Sequence, residues 1–212
     1  MALLKKKTKD EKEVKKVEEK GVPEVATKKP VAKKVATTSK KKKKEDFDPL
    51  QDLVLSKLKV GYFLDYDMKT WEVTEYNTYD WDDGDHSYEW ELTSGNEVLY
   101  LELEDDDEPE WTLTKKIPLK SVGRGIRKHI KDNDDPPNMI QYEGVEYTID
   151  EGSGGYFCKG GGKERIEFLY WDYYDLSEEK TLTIEQWGED KFDASVGNYV
   201  EEYQFTNILP GS

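Results

Sequence analysis

After roughly the first quarter of the chain, apolar and polar residues alternate with a period of two, which is typical of half-buried β-strands. The alternation is clear at Trp71–Glu75 and Tyr88–Leu92, whereas Val98–Leu103 is more continuously apolar. Ser94-Gly95-Asn96 predicts a hairpin turn between the last two segments. Ser177–Lys180 occupies the corresponding place in the second half. There the pattern predicts strands at Val145–Asp150, Ile166–Tyr173, Thr181–Trp187 and Tyr199–Ile208.

One arrangement of aromatic, aliphatic and glutamate positions occurs twice, with steps of five, two and two residues. Its copies are Tyr66, Trp71, Val73 and Glu75, and then Tyr142, Tyr147, Ile149 and Glu151. A second arrangement, with steps of nine, two and one, is also repeated. Its copies are Trp90, Leu99, Leu101 and Glu102, and then Tyr173, Leu182, Ile184 and Glu185. Because a period of about seventy-six residues is too long for a solenoid, the repeats indicate two copies of a small β unit.

These patterns predict an all-β fold in which two similar antiparallel β units form one sandwich-like or barrel-like domain. Unit one spans about residues 58–117 and unit two about residues 139–209, and a linker at 118–138 joins them. The basic part of the linker predicts one helical turn, which the Asp and Pro residues after it end.

The charge of the chain is divided sharply between its two parts. Residues 1–45 contain 17 Lys and 7 acidic residues, although the whole chain has a net charge of −15. The first segment has no aromatic residue and few large apolar ones, so it cannot offset the entropy of ordering. We therefore expect a disordered lysine-rich tail at 1–45 and a folded, strongly acidic domain at 46–212.

The lysine run near the end of the tail is the clearest functional signal in the composition. It consists of Lys40, Lys41, Lys42, Lys43 and Lys44. A mobile cation of this kind binds anionic membranes or acidic proteins through electrostatic attraction. The alternative is a solubilising tail that interacts with the acidic domain itself. Without aromatic residues the tail cannot stack on bases, which argues against sequence-specific nucleic-acid binding.

Residues that could hold metals or carry out catalysis lack the required spacing. The acidic loop Asp80–Asp85 misplaces the glycine that an EF-hand calcium loop needs, although a loosely bound divalent cation stays an alternative. His86 and His129 have no ligand-spaced partner, and Cys158 has no nearby histidine in the sequence. Gly160-Gly-Gly-Lys163 lacks the spacing of a phosphate-binding loop and predicts a flexible hairpin tip.

Three aromatic residues at the start of the acidic loop and just before it form a candidate partner surface. They are Tyr76, Tyr79 and Trp81. If these rings are exposed, they suit a protein partner, because exposed aromatic side chains dominate interface energetics. The alternative is a role in the core or in packing of the loop.

Several motifs of the chain occur together in one known bacterial family. They are Leu58-Lys-Val-Gly61, Tyr142-x-Gly144-x-x-Tyr147, Leu99-x-Leu101-Glu102, Leu182-x-Ile184-Glu185-x-Trp187, and Gly197-Asn-Tyr-Val200 followed by Ile208. In order and spacing they resemble the family of domain of unknown function 4178, over roughly Leu58 to Leu209. Two departures are Tyr62, where the family usually has Asp, and the exchanged aromatic residues of Tyr88-Glu-Trp-Glu-Leu92.

The resemblance implies a biological context and no particular chemistry. The family carries no agreed catalytic residues, and its genes tend to lie beside those of polyamine-synthase-like proteins and of membrane-stress proteins related to phage-shock protein A. We therefore expect a non-enzymatic protein-interaction or adaptor domain without a cofactor, in a bacterial membrane-stress system, with membrane-stress proteins of this kind as partners. The alternative is a module that binds a small molecule or a cation, such as a polyamine or calcium, through carboxylates and aromatic rings. The sequence has no apolar run of about 18 residues and no apolar signal core, which predicts a cytoplasmic location, peripheral at the inner face of the membrane where the tail binds it.

Overall fold

The computed structural model describes Asp48 and residues 52–81, 84–105 and 109–211. The described residues form one antiparallel sheet of eleven strands, which confirms the expected all-β class. The strands are β1 (Phe63–Tyr66), β2 (Lys69–Asp80), β3 (His86–Ser94), β4 (Glu97–Asp105), β5 (Pro109–Ile117), β6 (Met139–Tyr142), β7 (Val145–Lys159), β8 (Ile166–Asp175), β9 (Lys180–Gln186), β10 (Phe192–Tyr199) and β11 (Thr206–Leu209).

Eight of these strands close into a ring, which selects the barrel-like alternative over the sandwich. The order around the ring is β2, β3, β4, β5, β10, β9, β8 and β7. The ring closes where Asn77–Asp80 of β2 pairs with Tyr156–Lys159 of β7. Outside it, β1 and β11 extend the sheet beside β2, and β6 extends it beside β7.

The two units repeat the same succession of five strands, β1 to β5 and β6 to β10. Each has a register shift at the same point, between Val73 and Glu75 in β2 and between Ile149 and Glu151 in β7.

The second hairpin has the longer turn, which changes how the two units align. Because β8 ends at Asp175 and β9 begins at Lys180, four residues form this turn, whereas Gly95 and Asn96 alone connect β3 and β4. The pair that corresponds to Trp90 and Leu101 is therefore Trp171 and Ile184.

The apolar faces of the strands point away from the ring interior and are covered by other segments. The first cluster contains Trp71, Trp90 and Leu101, and its cover includes Leu55 and Phe205. The buried residues of the second cluster are Val122, Ile126, Ile130, Ile140, Tyr147, Trp171, Tyr173, Leu182, Ile184, Phe192, Ala194 and Val196. Burying these side chains contributes about 1.5–3 kcal/mol for each large aliphatic residue.

Two helices in the linker cover the second cluster, α1 (Leu119–Val122) and α2 (Ile126–Asn133). The single helical turn predicted for the linker is therefore too short. Ile126 and Ile130 are one turn apart in α2 and bury the same face of the helix. Asp134 ends it in the left-handed conformation, at φ 64°. No helix among the described residues combines the length and the apolar character needed to span a membrane.

The predicted positions of most strands are confirmed, but their ends differ. Tyr199–Ile208 is not one strand, because β10 ends at Tyr199 and a 3₁₀ turn at Glu202–Gln204 precedes β11. The hairpin turns at Gly95 and at Gly160–Gly161 are confirmed, and these three glycines have positive φ.

Candidate functional site

The polar faces of the ring strands enclose a cavity of about 270 Å³, which we call the acidic chamber. Its described lining includes nine carboxylates and one lysine, so the surroundings strongly favour positive charge. The carboxylates are Asp85, Glu89, Glu102, Glu104, Asp105, Glu110, Glu151, Asp172 and Glu185, and the lysine is Lys116.

Two pairs of glutamates stand directly opposite each other on neighbouring strands that border the chamber. Glu89 of β3 pairs with Glu102 of β4, and Glu104 of β4 pairs with Glu110 of β5. Like charges at directly opposite positions destabilise a sheet, and the effect grows where solvent is partly excluded. The sheet therefore holds more negative charge at this place than its own stability favours.

Hydrogen bonds fix the position of Glu89, which is 9% exposed. Asn77 Nδ2 donates to its Oε1 at 2.9 Å, and the Tyr79 hydroxyl donates to its Oε2 at 3.0 Å. The backbone N–H of Gly160 donates to Asn77 Oδ1 at 3.1 Å, which ties the β7–β8 turn to this carboxylate. Burial nevertheless raises the pKa of Glu89, and the two donors reduce that shift.

Three other carboxyl groups of the chamber also have raised pKa values. Burial, with a further contribution from Glu89, raises the pKa of Glu102 well above its usual range. Burial raises the pKa of Asp172 to about 7, although Thr183 Oγ1 donates a hydrogen bond to it at 2.6 Å. Burial also raises the pKa of Glu185 to about 7, and the opposing effect of Lys116 is smaller. Asp172 and Glu185 therefore titrate near neutral pH instead of near pH 4.

Lys116 is the one lysine of the described lining, and it lies close to an aromatic ring. Its Nζ is 3.8 Å from Asp193 Oδ2 and 5.0 Å from the centre of the Tyr100 ring. Its side chain is half exposed, so this ammonium offsets only part of the carboxylate charge.

Aromatic rings form one end of the chamber. The Trp81 ring stacks on Tyr79 at 5.6 Å and meets Tyr170 edge-on at 5.1 Å, while Phe168 lies 5.9 Å from Trp81. Trp81 Nε1 donates to Ser87 Oγ at 2.9 Å, which fixes the orientation of the indole. Ring faces beside carboxylates are a favourable environment for organic cations.

The glycine run at Gly152–Gly155 lies inside β7, and the β7–β8 turn begins only after Lys159. A Cβ atom at Gly152 would lie 2.5 Å from Trp171 Cδ1, and one at Gly155 would lie 2.7 Å from Trp81 Cε3. The glycines therefore leave room for Trp171 outside the ring and for Trp81 at the end of the chamber.

The three aromatic residues of the candidate partner surface are buried or half-buried. Tyr79 is 6% exposed and donates to Glu89, which is the alternative role in the core. Tyr76 and Trp81 are half-buried, and Tyr76 packs against Trp90 at 5.6 Å. A protein-binding role for these residues stays a prediction.

The remaining candidates are distributed over the structure. Lys40, Lys41, Lys42, Lys43 and Lys44 lie outside the described residues. His86 lines the chamber, His129 is exposed on α2, and Cys158 is buried in β7. Within the described ranges, no group of three or more His, Cys, Asp or Glu residues is arranged to hold a metal ion. Asp82 and Asp83 of the acidic loop lie outside these ranges.

The comparisons with known proteins agree with the motifs of the sequence. The family described as domain of unknown function (DUF4178) matches residues 59–202, about two thirds of the chain. The chain belongs to the DUF4178 family. An uncharacterized protein of Aquifex aeolicus (strain VF5) is 26% identical to this DUF4178 chain over 156 residues, which cover 74% of the chain and 85% of that protein. No solved structure matches this DUF4178 chain.

The repeated glutamates were the signal for the chamber in the sequence of this DUF4178 domain. Glu102 and Glu185 end the two copies of the second repeated arrangement, Glu151 ends the second copy of the first, and all three line the chamber. Glu89, Lys116 and Asp172 had no such signal, because alternation alone does not show which polar positions share an enclosed space.

Proposed function

We propose that the DUF4178 domain is a non-enzymatic module that binds a small organic cation in the acidic chamber. The observation that carries this proposal is the excess of carboxylates in a confined space, with Glu89 directly opposite Glu102. A bound ammonium group would offset the repulsion between these two glutamates. Binding would therefore recover part of the stability that this repulsion costs the folded protein.

The chemistry of the chamber favours an organic amine over a metal ion. The described carboxylates do not converge on one point as the ligands of calcium or magnesium do. They line the chamber together with the rings of Tyr100, Tyr170 and Trp81, which would provide cation–π contacts and apolar surface for an alkyl chain. The volume of about 270 Å³ lies just below the range of about 300–1,000 Å³ for drug-sized ligands, so the ligand must be small.

Calorimetry and thermal unfolding of the full-length protein test the proposal directly, with spermidine and calcium chloride as separate probes. We expect spermidine to bind and to raise the melting temperature, since ligand at about 100 times Kd adds about 2.7 kcal/mol of stability. Glu102→Gln keeps the shape of the side chain but removes its charge, and we expect it to weaken spermidine binding about tenfold or more.

Glu164→Gln is the matched control, because Glu164 is exposed and lies outside the chamber. It should bind spermidine like the unchanged protein. Absence of heat and of a thermal shift with spermidine would refute the proposal. Binding of calcium without binding of spermidine would show that the ligand is a metal ion and not an organic cation.

A second proposal is the adaptor role at an anionic membrane, supported by the difference in charge between residues 1–45 and the rest of the chain. Each basic residue near an anionic membrane contributes about 1 kcal/mol. We expect glutamine at all five positions Lys40–Lys44 to weaken vesicle binding at least tenfold at low salt, as measured by co-sedimentation. Neutral vesicles are the control, and equal binding of both proteins at low and high salt would contradict this role.

A further inference from the structure

A second cavity lies against one end of the acidic chamber, and we call it the outer groove. It has a volume of about 950 Å³ and extends along β7 and the β8–β9 turn. Its lining combines the exposed apolar side chain of Leu176 with exposed carboxylates, of which Glu146, Asp150 and Glu178 matter here.

The chamber and the groove share a wall. Glu110, Tyr174 and Tyr199 line both cavities, so these side chains stand between them. The Tyr199 hydroxyl donates to the Tyr174 hydroxyl at 3.2 Å, and the two rings are stacked with their centres 6.3 Å apart. The partition between the two cavities therefore includes two half-buried rings joined by a hydrogen bond.

The distance between the two cavities is short compared with an alkyl chain. Asp172 and Tyr174 are two positions apart on β8 and face the same side of the strand, about 7 Å from each other along it. Asp172 lines the chamber, whereas Asp175 and Glu178 line the groove beyond Tyr174. A flexible chain of a few methylene groups is long enough to join the two acidic regions.

The groove offers what the outer half of an extended cation needs. Leu176 is fully exposed in the β8–β9 turn, so apolar surface stands open to solvent there. Glu146 and Asp150 are exposed on β7, whereas Val145 and Ile149 pack against the second apolar cluster. An aliphatic spacer would pass Tyr174 and Leu176, and an ammonium group at its far end would lie near Glu146 and Asp150.

We propose that the outer groove is a second subsite of the chamber, so that the preferred ligand is a linear aliphatic cation with at least two ammonium groups. One ammonium lies among Glu89, Glu102 and Asp172, the alkyl chain passes Tyr174 and Tyr199, and the other ammonium lies in the groove. This inference rests on the proposed function, because it assumes that the chamber binds an amine.

The test compares amines of increasing length on the full-length protein by calorimetry. The probes are n-butylamine, putrescine and spermine. Spermine should bind about fivefold or more tightly than n-butylamine, the gain expected when one exposed ion pair and apolar contact are added. The double substitution Glu146→Gln with Asp150→Asn should remove this gain and leave n-butylamine binding unchanged. Both residues are exposed, so the fold should tolerate the change.

The outcomes separate this inference from the function on which it rests. Equal affinity for the three amines, or a gain for spermine that survives the double substitution, would overturn the second subsite and leave the chamber proposal standing. Failure of all three amines to bind would overturn both. Glu164→Gln lies outside both cavities and should preserve the gain, which excludes a general effect of net charge.

Discussion

Replacement of Trp90 by alanine is expected to lower the free energy of unfolding by about 3–5 kcal/mol. Trp90 is 2% exposed and packs against Tyr76 at 5.6 Å and Trp111 at 5.8 Å. Its Nε1 donates to the backbone carbonyl of Leu58 at 3.0 Å. The substitution therefore opens a cavity in the first apolar cluster and leaves a buried carbonyl without its donor. Denaturant unfolding followed by circular dichroism measures the loss.

Two further variants separate packing from hydrogen bonding at this position. Trp90→Phe keeps much of the ring contact but loses the bond to Leu58, so we expect a smaller loss of about 1–2 kcal/mol. Tyr203→Ala is the surface control, because Tyr203 is 79% exposed, and it should change stability by less than about 0.5 kcal/mol. A loss below about 1 kcal/mol for Trp90→Ala would show that this cluster does not hold unit one together.

Glu185→Gln is expected to stabilise the protein at pH 8 by about 1–2 kcal/mol and to have little effect at pH 4. The pKa of Glu185 is raised to about 7 in the folded protein, chiefly by burial. The folded state therefore retains a proton that the unfolded state releases above about pH 4. The stability that protonated Glu185 contributes is complete at low pH and is lost as the pH rises through about 7. The chamber admits solvent, so we expect less than the full effect of such a shift.

Urea unfolding at pH 4, 6 and 8 measures this dependence. The unchanged protein should lose stability relative to Glu185→Gln across this range, and Glu164→Gln should follow the unchanged protein. Spermidine at pH 8 should restore part of the lost stability to the unchanged protein and less to Glu185→Gln, because binding favours the ionised carboxylates. A Glu185→Gln variant that is less stable than the unchanged protein at pH 8 would show that the ionised Glu185 carboxylate is stabilising.

The alternation of residues predicted most strands, but it did not show which face of each strand is enclosed. In an open antiparallel sheet the polar face usually meets solvent. Here the polar face of β4, with Glu102 and Glu104, turns toward the ring interior, while Leu101 and Leu103 on its other face are covered by other segments. Alternation alone therefore does not distinguish the repeated Glu102 and Glu185 from solvent positions of a half-buried strand.

Ring closure could not be predicted from the sequence either, because it depends on pairing between segments that are far apart along the chain. Nothing local in Asn77–Asp80 or Tyr156–Lys159 indicates that these segments pair, because their register follows from the packing of both units. The glycine run at Gly152–Gly155 shows the same limit. Glycine ordinarily weakens a strand, and its tolerance in β7 depends on the tryptophans that lie against it.

The two places where the units join have a consequence for the ancestry of the fold. At each of them a strand pairs with its own counterpart, β2 with β7 and β5 with β10, and both pairings are antiparallel. Equivalent strands pair in this way when a two-fold rotation relates the copies. A single ancestral unit could therefore have formed the same ring as a homodimer, with the chamber on the axis. Gene duplication would then have allowed the two halves of the chamber to diverge.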